Sequence, residues 1–383
     1  EIFQRAKTVE SHFNIVDLTS KALIVRGGHH FDPAEWQQSL GGTIKIIRIV
    51  KSHRTVDALH NWLNAEHVLQ HILPAPEEKN TFGFSLYGDT LWGQVARFRA
   101  LGLGLKKQLK QAGYKARYVA PIGDATALSS VQVAKNKMID RGADITVISG
   151  LYAMYLGRAV AVQDFSAYSR RDYGRPQRDA HSGMLPPKLA KIMLNISALG
   201  TDDTLLDPFC GSGTILQEAA VLGYKDIIGS DISHKAIRDT KSNISWLREH
   251  YSLDANIALH EHDVRNLPHI IKPASIDGIV TEPFLGPPIN ASISPIDMLA
   301  ILQELENLYT GAFTAFIDIL KPGGKVIIVL PLFQTQTGIY SLKILEQLTR
   351  LGFYRINTVP DSVSLFAKVG PTSRGSLVYQ RPD

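Results

Sequence analysis

The stretch Asp207-Pro208-Phe209-Cys210-Gly211-Ser212-Gly213-Thr214 decides how the rest of the chain is read. A short apolar run, Thr204 to Leu206, leads in, and a helix-like run, Ile215 to Leu222, leads out. The order is strand, tight glycine turn, helix. Glycine lets the backbone approach a ligand where a Cβ would collide. The helix N-terminus behind the turn offers unpaired N–H groups to an anion. Working outward, residues 225–231 read Lys-Asp-Ile-Ile-Gly-Ser-Asp, a second strand ending on a carboxylate. Asp231 stands 20 residues beyond Gly211, an offset at which an acidic side chain holds ribose hydroxyls. Ile257 to Val264 reads as a third strand with Asp263 near its end. Ile276 to Thr281 reads as a fourth, running into Glu282-Pro283-Phe284-Leu285-Gly286-Pro287-Pro288. Then come an amphipathic helix (Ile301 to Leu320), a stop and turn at Lys321-Pro322-Gly323-Gly324-Lys325, and a buried strand (Val326 to Phe333). A helix (Leu342 to Leu351) and two short strands (Tyr354 to Val359, Leu377 to Gln380) finish the pattern. Strands alternating with helices predict an α/β, mostly parallel, doubly wound sheet. Asp207, Asp231, Asp263 and Glu282 all fall at strand carboxyl ends, where such sheets bind ligands.

The 383 residues are enough for two or three domains with proper cores. Hydrophobic content of 44% and charged content of 20% are those of a globular protein. No apolar run reaches membrane-spanning length and no signal peptide is visible. The first residue is Glu rather than Met, so a trimmed N-terminus is expected. Cys210 is the only cysteine, which excludes internal disulfides and any multi-cysteine zinc site. No metal site is expected, and the default location is cytoplasmic. The net charge of +5 favours a polyanionic partner. Residues 91–120 sharpen this, with seven Lys/Arg, among them Arg97, Lys106, Lys107 and Lys110, and no acid.

The N-terminal half splits into two expected units. Residues 1–75 hold a strand (Thr43 to Val50) and an amphipathic helix (Val56 to Leu73), closed by a Pro74-Ala75-Pro76-Glu77-Glu78 linker. Residues 79–165 hold a strand (Thr81 to Leu86), a basic helix (Leu91 to Ala112), a strand (Ala116 to Ala120), a helix (Ser130 to Asp140) and strands at Asp144 to Ser149 and Arg158 to Phe165.

These residues carry resemblances. The Asp207–Thr214 string resembles motif I of S-adenosylmethionine-dependent amino-methyltransferases, which modify exocyclic nitrogens of nucleobases. Leu128 to Lys137 followed by Asp144 to Ile148 is similar to the THUMP domain of tRNA-modifying enzymes. Arg170 to Asp179, then Ser182-Gly183-Met184-Leu185-Pro186-Pro187-Lys188, looks like the join between THUMP and catalytic domains. Together they resemble the tRNA guanosine-10 N2-methyltransferase family, over about residues 79 to 383. The resemblance implies a ferredoxin-like α+β domain at 1–75, a THUMP-like RNA-binding domain at 79–165, a basic linker at 166–183 and a Rossmann-like class I methyltransferase domain at 184–383. S-adenosylmethionine is the implied cofactor. Met184, Asp207, Phe209, Gly211, Gly213, Thr214, Asp231, Ile232, Asp263 and Val264 are its implied contacts. Glu282, Pro283 and Phe284 fall on the catalytic loop, although Phe284 replaces the family's second proline and Leu285 falls where the aromatic is expected. The partner is tRNA, gripped through Arg97, Lys106, Lys107, Lys110, Arg170, Arg171, Arg175 and Arg178. Some relatives also need a small zinc-binding activator subunit.

Two other readings compete. A DNA adenine-N6 or cytosine-N4 methyltransferase shares motif I, but no target-recognition domain is recognisable and the THUMP-like half disfavours it. A catalytically inactive tRNA-binding protein is suggested by the irregular Glu-Pro-Phe-Leu loop. A nicotinamide dehydrogenase is disfavoured because the G-x-G-x-x-G spacing is missing.

Overall fold

The computed structural model describes residues 1–2, 4–5, 13–27, 31–73, 80–178, 184–290, 292–356 and the strand 372–380. The chain forms two compact units: Ser11–Ala167, and Glu1–Glu10 with Tyr168–Asp383.

In the Ser11–Ala167 unit, β1 (Phe13–Leu18) and β2 (Leu23–Gly27) form an antiparallel hairpin. Buried Asp17 anchors it by accepting from the Leu151 and Tyr152 N–H groups, each at 3.1 Å, and from the Tyr155 hydroxyl at 3.0 Å. Strands β3 (Lys45–His53), β4 (Asn80–Tyr87), β5 (Ala116–Tyr118), β6 (Gly142–Ser149) and β7 (Met154–Val162) make one sheet in the order β3-β7-β6-β4-β5. β3 pairs antiparallel with β7 along its length. Its Lys45 Nζ lies 2.5 Å from buried Asp144 on β6 and 2.7 Å from the Leu128 carbonyl.

That pairing corrects the expected boundary at 75–79. Residues 45–73 complete the sheet of residues 80–162 instead of forming a domain of their own, because unpaired backbone groups of β3 need a partner strand. The expected helix Val56 to Leu73 also breaks. Val56–Trp62 stops, and Asn64 opens a new turn by accepting from the His67 N–H at 2.9 Å. The basic helix Val95–Gln111 buries Phe98, Gly102, Leu105 and Leu109 on one stripe, which leaves Lys107 and Lys110 exposed.

The larger unit contains β8 (Leu205–Asp207), β9 (Asp226–Asp231), β10 (Asn256–Glu261), β11 (Ile276–Thr281), β12 (Leu320–Thr335), β13 (Gly338–Ser341), β14 (Tyr354–Arg355) and β15 (Thr372–Gln380). Their order is β10-β9-β8-β11-β12-β15-β14, with β13 also on β12. β8 to β12 pair in parallel, and β15 runs antiparallel to both neighbours. Strand residues alternate between two cores, as period-two side chains must. Leu205, Val280 and Ile327 face the helices Pro187–Ser197, Thr214–Val221 and His234–His250. Leu206, Ile279 and Ile328 face the helix Pro295–Ile319. That helix begins with Ser294 capping the Asp297 N–H and Pro295 in its first turn, and buries Met298, Leu302, Leu305, Tyr309, Phe313 and Phe316 at helical spacing. The expected Lys-Pro-Gly-Gly turn becomes a bulge in β12, between the pairs Ile276↔Leu320 and Gly278↔Lys325. No helix among the described residues is long and apolar enough to cross a membrane.

From β8 the chain moves out through β9 to β10, then returns to β11 on β8's other side. The crevice of a doubly wound sheet lies at this reversal, beyond the carboxyl ends of β8 and β11.

Candidate active site

Asp207 ends β8 and is 1% exposed. Thr281, the last residue of β11, donates from Oγ1 to Asp207 Oδ1 at 2.7 Å, and the Phe209 N–H donates to the same oxygen at 3.2 Å. Burial pushes the Asp207 carboxyl up to about 7; Asp231 and Glu282 push the same way, against the two hydrogen bonds. The two strand tips flanking the reversal are thus tied together.

The glycine turn follows. Gly211 (φ 53°) and Gly213 (φ 82°) both occupy the left-handed region, which only glycine enters without strain. A Cβ on Gly213 would lie 2.8 Å from Thr240 Cγ2. The helix His234–His250 fixes the turn: Thr240 Oγ1 donates to the Gly211 carbonyl at 2.7 Å and Asn243 Nδ2 to the Ser212 carbonyl at 2.9 Å. Asp231 ends β9 and accepts from the Gly211 N–H and the Ser233 N–H, both at 2.9 Å. Its carboxylate therefore joins the turn to the second strand.

Asp263 follows β10 and caps the turn Val264–His269. Arg265 donates to both its oxygens, Nε to Oδ1 at 2.9 Å and Nη2 to Oδ2 at 2.5 Å, and holds its carboxyl below the ordinary range. A ligand amine at Asp263 would compete with that guanidinium. Ile232 is 69% exposed beside Asp231, whereas Val264 is buried in the core and offers a ligand only its backbone. Phe209 is half-buried and packs against the core.

The loop beyond β11 carries Glu282, Pro283 and Phe284. Pro283 is buried and Phe284 is 58% exposed. The Phe284 carbonyl accepts from the buried Tyr309 hydroxyl at 2.8 Å, so the long helix holds the loop. Glu282 is close enough to push both Asp207 and the Tyr309 phenol upward. Sequence reasoning missed Tyr309, Thr240 and Asn243 as supports. In sequence Thr281 reads only as the residue before the loop.

The expected RNA contacts divide. Arg171 and Arg175, expected at the tRNA backbone, are instead buried, at 4% and 3% exposure, and face the protein interior. Arg171 donates to Glu218 Oε1 at 2.5 Å and Oε2 at 3.2 Å. Burial opposes its charge, and the Glu218 carboxylate overrides that opposition. Arg175 Nη1 donates to Thr214 Oγ1 at 2.7 Å, and its Nη2 lies 3.0 Å from Met184 Sδ. Arg170 and Arg178 are exposed, Arg178 standing 4.9 Å over the Tyr173 ring. Arg97 is paired with Asp57. Lys106 is half-buried, while Lys107 and Lys110 are exposed. Lys110 also lines a cavity of about 570 Å³ with Tyr114, Lys115 and Arg117.

The seven strands in line, one of them antiparallel, with carboxylates on their tips, are consistent with the Rossmann-like methyltransferase sheet expected from the sequence. Residues 175–332 match a family model described as RMKL-like, methyltransferase domain. A second model, described as DNA methylase, matches residues 58–242, a span that crosses both units and stops before Glu282. Among curated relatives, the chain is similar to the tRNA (guanine(10)-N2)-dimethyltransferase of Methanothermobacter thermautotrophicus, 32% identical over 151 residues, 39% of this chain and 40% of the relative. The enzyme of the same name from Methanocaldococcus jannaschii is 37% identical over 109 residues, 28% of this chain and 30% of the relative. The matches thus cover well under half of these relatives' length. The crystal structure of TrmN from Thermus thermophilus shares the fold at TM-score 0.54 and 17% identity, covering 95% of this chain and 92% of that one. A predicted N6-adenine-specific DNA methylase from Listeria monocytogenes does so at TM-score 0.53 and 13% identity, covering 99% and 91%.

Proposed function

We propose that the chain transfers a methyl group from S-adenosylmethionine to the exocyclic N2 of a guanosine in tRNA, position 10 by analogy with its curated relatives. The observation that carries this is the Asp207–Thr281 hydrogen bond, which joins the glycine turn to the Glu282-Pro283-Phe284 loop. The residues fit the cofactor: two left-handed glycines, a helix N-terminus and Asp231 line the same strand tips. When bound, the cofactor supplies an electrophilic sulfonium methyl. Asp231 would hold its ribose hydroxyls, and the Ile232 and Asp263 segments would hold its adenine. A guanine amine is a poor nucleophile because its lone pair is delocalised into the ring. Glu282 accepts its N–H, turns the lone pair outward, steadies the developing positive charge and receives the proton. A base in a paired stem must leave the stack to reach this loop, and the exposed Phe284 ring gives it a stacking surface.

The smaller unit, in this reading, is a THUMP-like RNA grip. Lys107, Lys110, Lys115 and Arg117 meet phosphates by charge and shape. With tRNA as substrate the working compartment is the cytoplasm. The test is transfer of labelled methyl to unmodified tRNA, followed by nucleoside mass analysis. N2-methylated guanosine is expected, and a different methylated nucleoside overturns the reading. Turnover by the chain alone removes the zinc-binding activator from it. The DNA methylase match over 58–242 favours a second reading, which predicts labelled N6-methyladenine or N4-methylcytosine in duplex DNA in the same assay.

A further inference from the structure

Two buried arginines stand four positions apart in the segment expected to be a solvent-facing linker. Arg171 has its counter-ion in Glu218. Arg175 forms no ion pair with any described residue. Of its five donors, one reaches a neutral hydroxyl, one reaches a thioether, and Nε has no partner. Burial lowers its pKa; the Asp172 carboxylate opposes that, Arg178 adds to it, and Glu218, already paired with Arg171, opposes it further. A buried cation with no ion-pair partner among the described residues works against stability, and a ligand anion would relieve it.

Its position suits an anion. Thr214, which holds Nη1, is the first residue of the eight-residue helix behind the Gly211–Gly213 turn. The free N–H groups of that helix start and the guanidinium converge on one place, and both favour an anion. Thioether sulfur is a weak acceptor, which a carboxylate outcompetes.

Resting on the methyltransferase reading above, we propose that Arg175, with Thr214, binds the α-carboxylate of the cofactor's methionine moiety. At 3% exposure the guanidinium is out of reach of a nucleic-acid backbone and suited to a small anion at the inner end of the cleft.

The test is titration calorimetry on the full chain with two neutral-sulfur ligands. S-adenosylhomocysteine carries the carboxylate; 5′-methylthioadenosine lacks the amino-acid arm. Arg175→Met should lose about 10- to 100-fold in affinity for S-adenosylhomocysteine, the worth of a hydrogen bond to a charged group. It should bind methylthioadenosine as the wild type does. Arg175→Lys should recover part of the loss, and serves in its place if Arg175→Met does not fold. Equal weakening for both ligands, or none for either, overturns the carboxylate assignment. Weakened tRNA binding with S-adenosylhomocysteine affinity intact overturns it in favour of an RNA phosphate. Failure of the wild type to bind either ligand is a different result, and removes the cofactor reading itself.

Discussion

Asp207→Asn should make the protein more stable, and increasingly so as pH rises. The carboxyl is fully buried and its pKa is lifted from 3.8 to about 7. Between those values the unfolded chain has released this proton and the folded chain still holds it. Stability therefore falls as pH rises through the window and stays down above it. Each pH unit is worth about 1.4 kcal/mol, so the window amounts to about 4 kcal/mol at most. Asparagine cannot ionise, and its side-chain oxygen still accepts from Thr281 Oγ1 and the Phe209 N–H. Urea unfolding of both proteins from about pH 5 to about pH 8 isolates this one group, because every other titration cancels in the difference. The Asn variant should gain on the wild type by about 1.4 kcal/mol per unit up to pH 7, then level off. A difference that stays flat, or that turns against Asn as pH rises, refutes the claim that Asp207 is kept protonated by burial.

Glu282→Gln keeps the loop's shape but removes its charge and basicity, so methyl transfer should fall about 100-fold or more while S-adenosylhomocysteine affinity by calorimetry stays unchanged. Gly213→Ala should cost about 1–2 kcal/mol from left-handed strain alone, with more from the 2.8 Å approach to Thr240 Cγ2; thermal melting of Gly213→Ala beside Gly213→Ala/Thr240→Ser, which keeps the hydroxyl and drops that methyl, separates the two. Arg171→Met leaves buried Glu218 with Lys191, at 3.6 Å, as its one ion-pair partner among the described residues and should destabilise by about 3–5 kcal/mol, whereas Arg171→Met/Glu218→Leu should be milder; denaturant midpoints decide. Lys107→Glu/Lys110→Glu should weaken tRNA binding and flatten its salt dependence by about one unit of slope for each phosphate no longer neutralised, read from filter binding across ionic strengths.

The strand, glycine turn and helix at 204–222 were legible because side-chain periodicity changes from two to 3.6 across two glycines. Asp231 and Glu282 were placed correctly at strand ends because each closes a short apolar run. What stayed hidden depends on distant pairings. β3 looked like part of a separate domain because its partner β7 lies about a hundred residues on, and no local pattern announces such pairing. Arg171 and Arg175 sit in a run that reads the same whether solvated or buried. Only Glu218, 47 residues beyond Arg171, decides between the two. Tyr309 read as one more apolar position on a helix stripe; its hydroxyl found the Phe284 carbonyl only when the sheet brought loop and helix together.

The charges of the cleft also select among ligands. Asp207, Asp231 and Glu282 lie close enough that the last two raise the first. At an effective dielectric constant near 20, one further like charge at about 4 Å would cost about 4 kcal/mol. With Asp207 kept protonated, a nucleotide polyphosphate set against these strand tips would meet that repulsion from the Asp231 and Glu282 carboxylates. A sulfonium cation there is attracted instead. The only unneutralised buried guanidinium among the described residues of this site is Arg175, beside the helix start, where an anion is welcome. A donor carrying a cation at its reactive centre and a single carboxylate at its far end would match both places, as the proposed S-adenosylmethionine does.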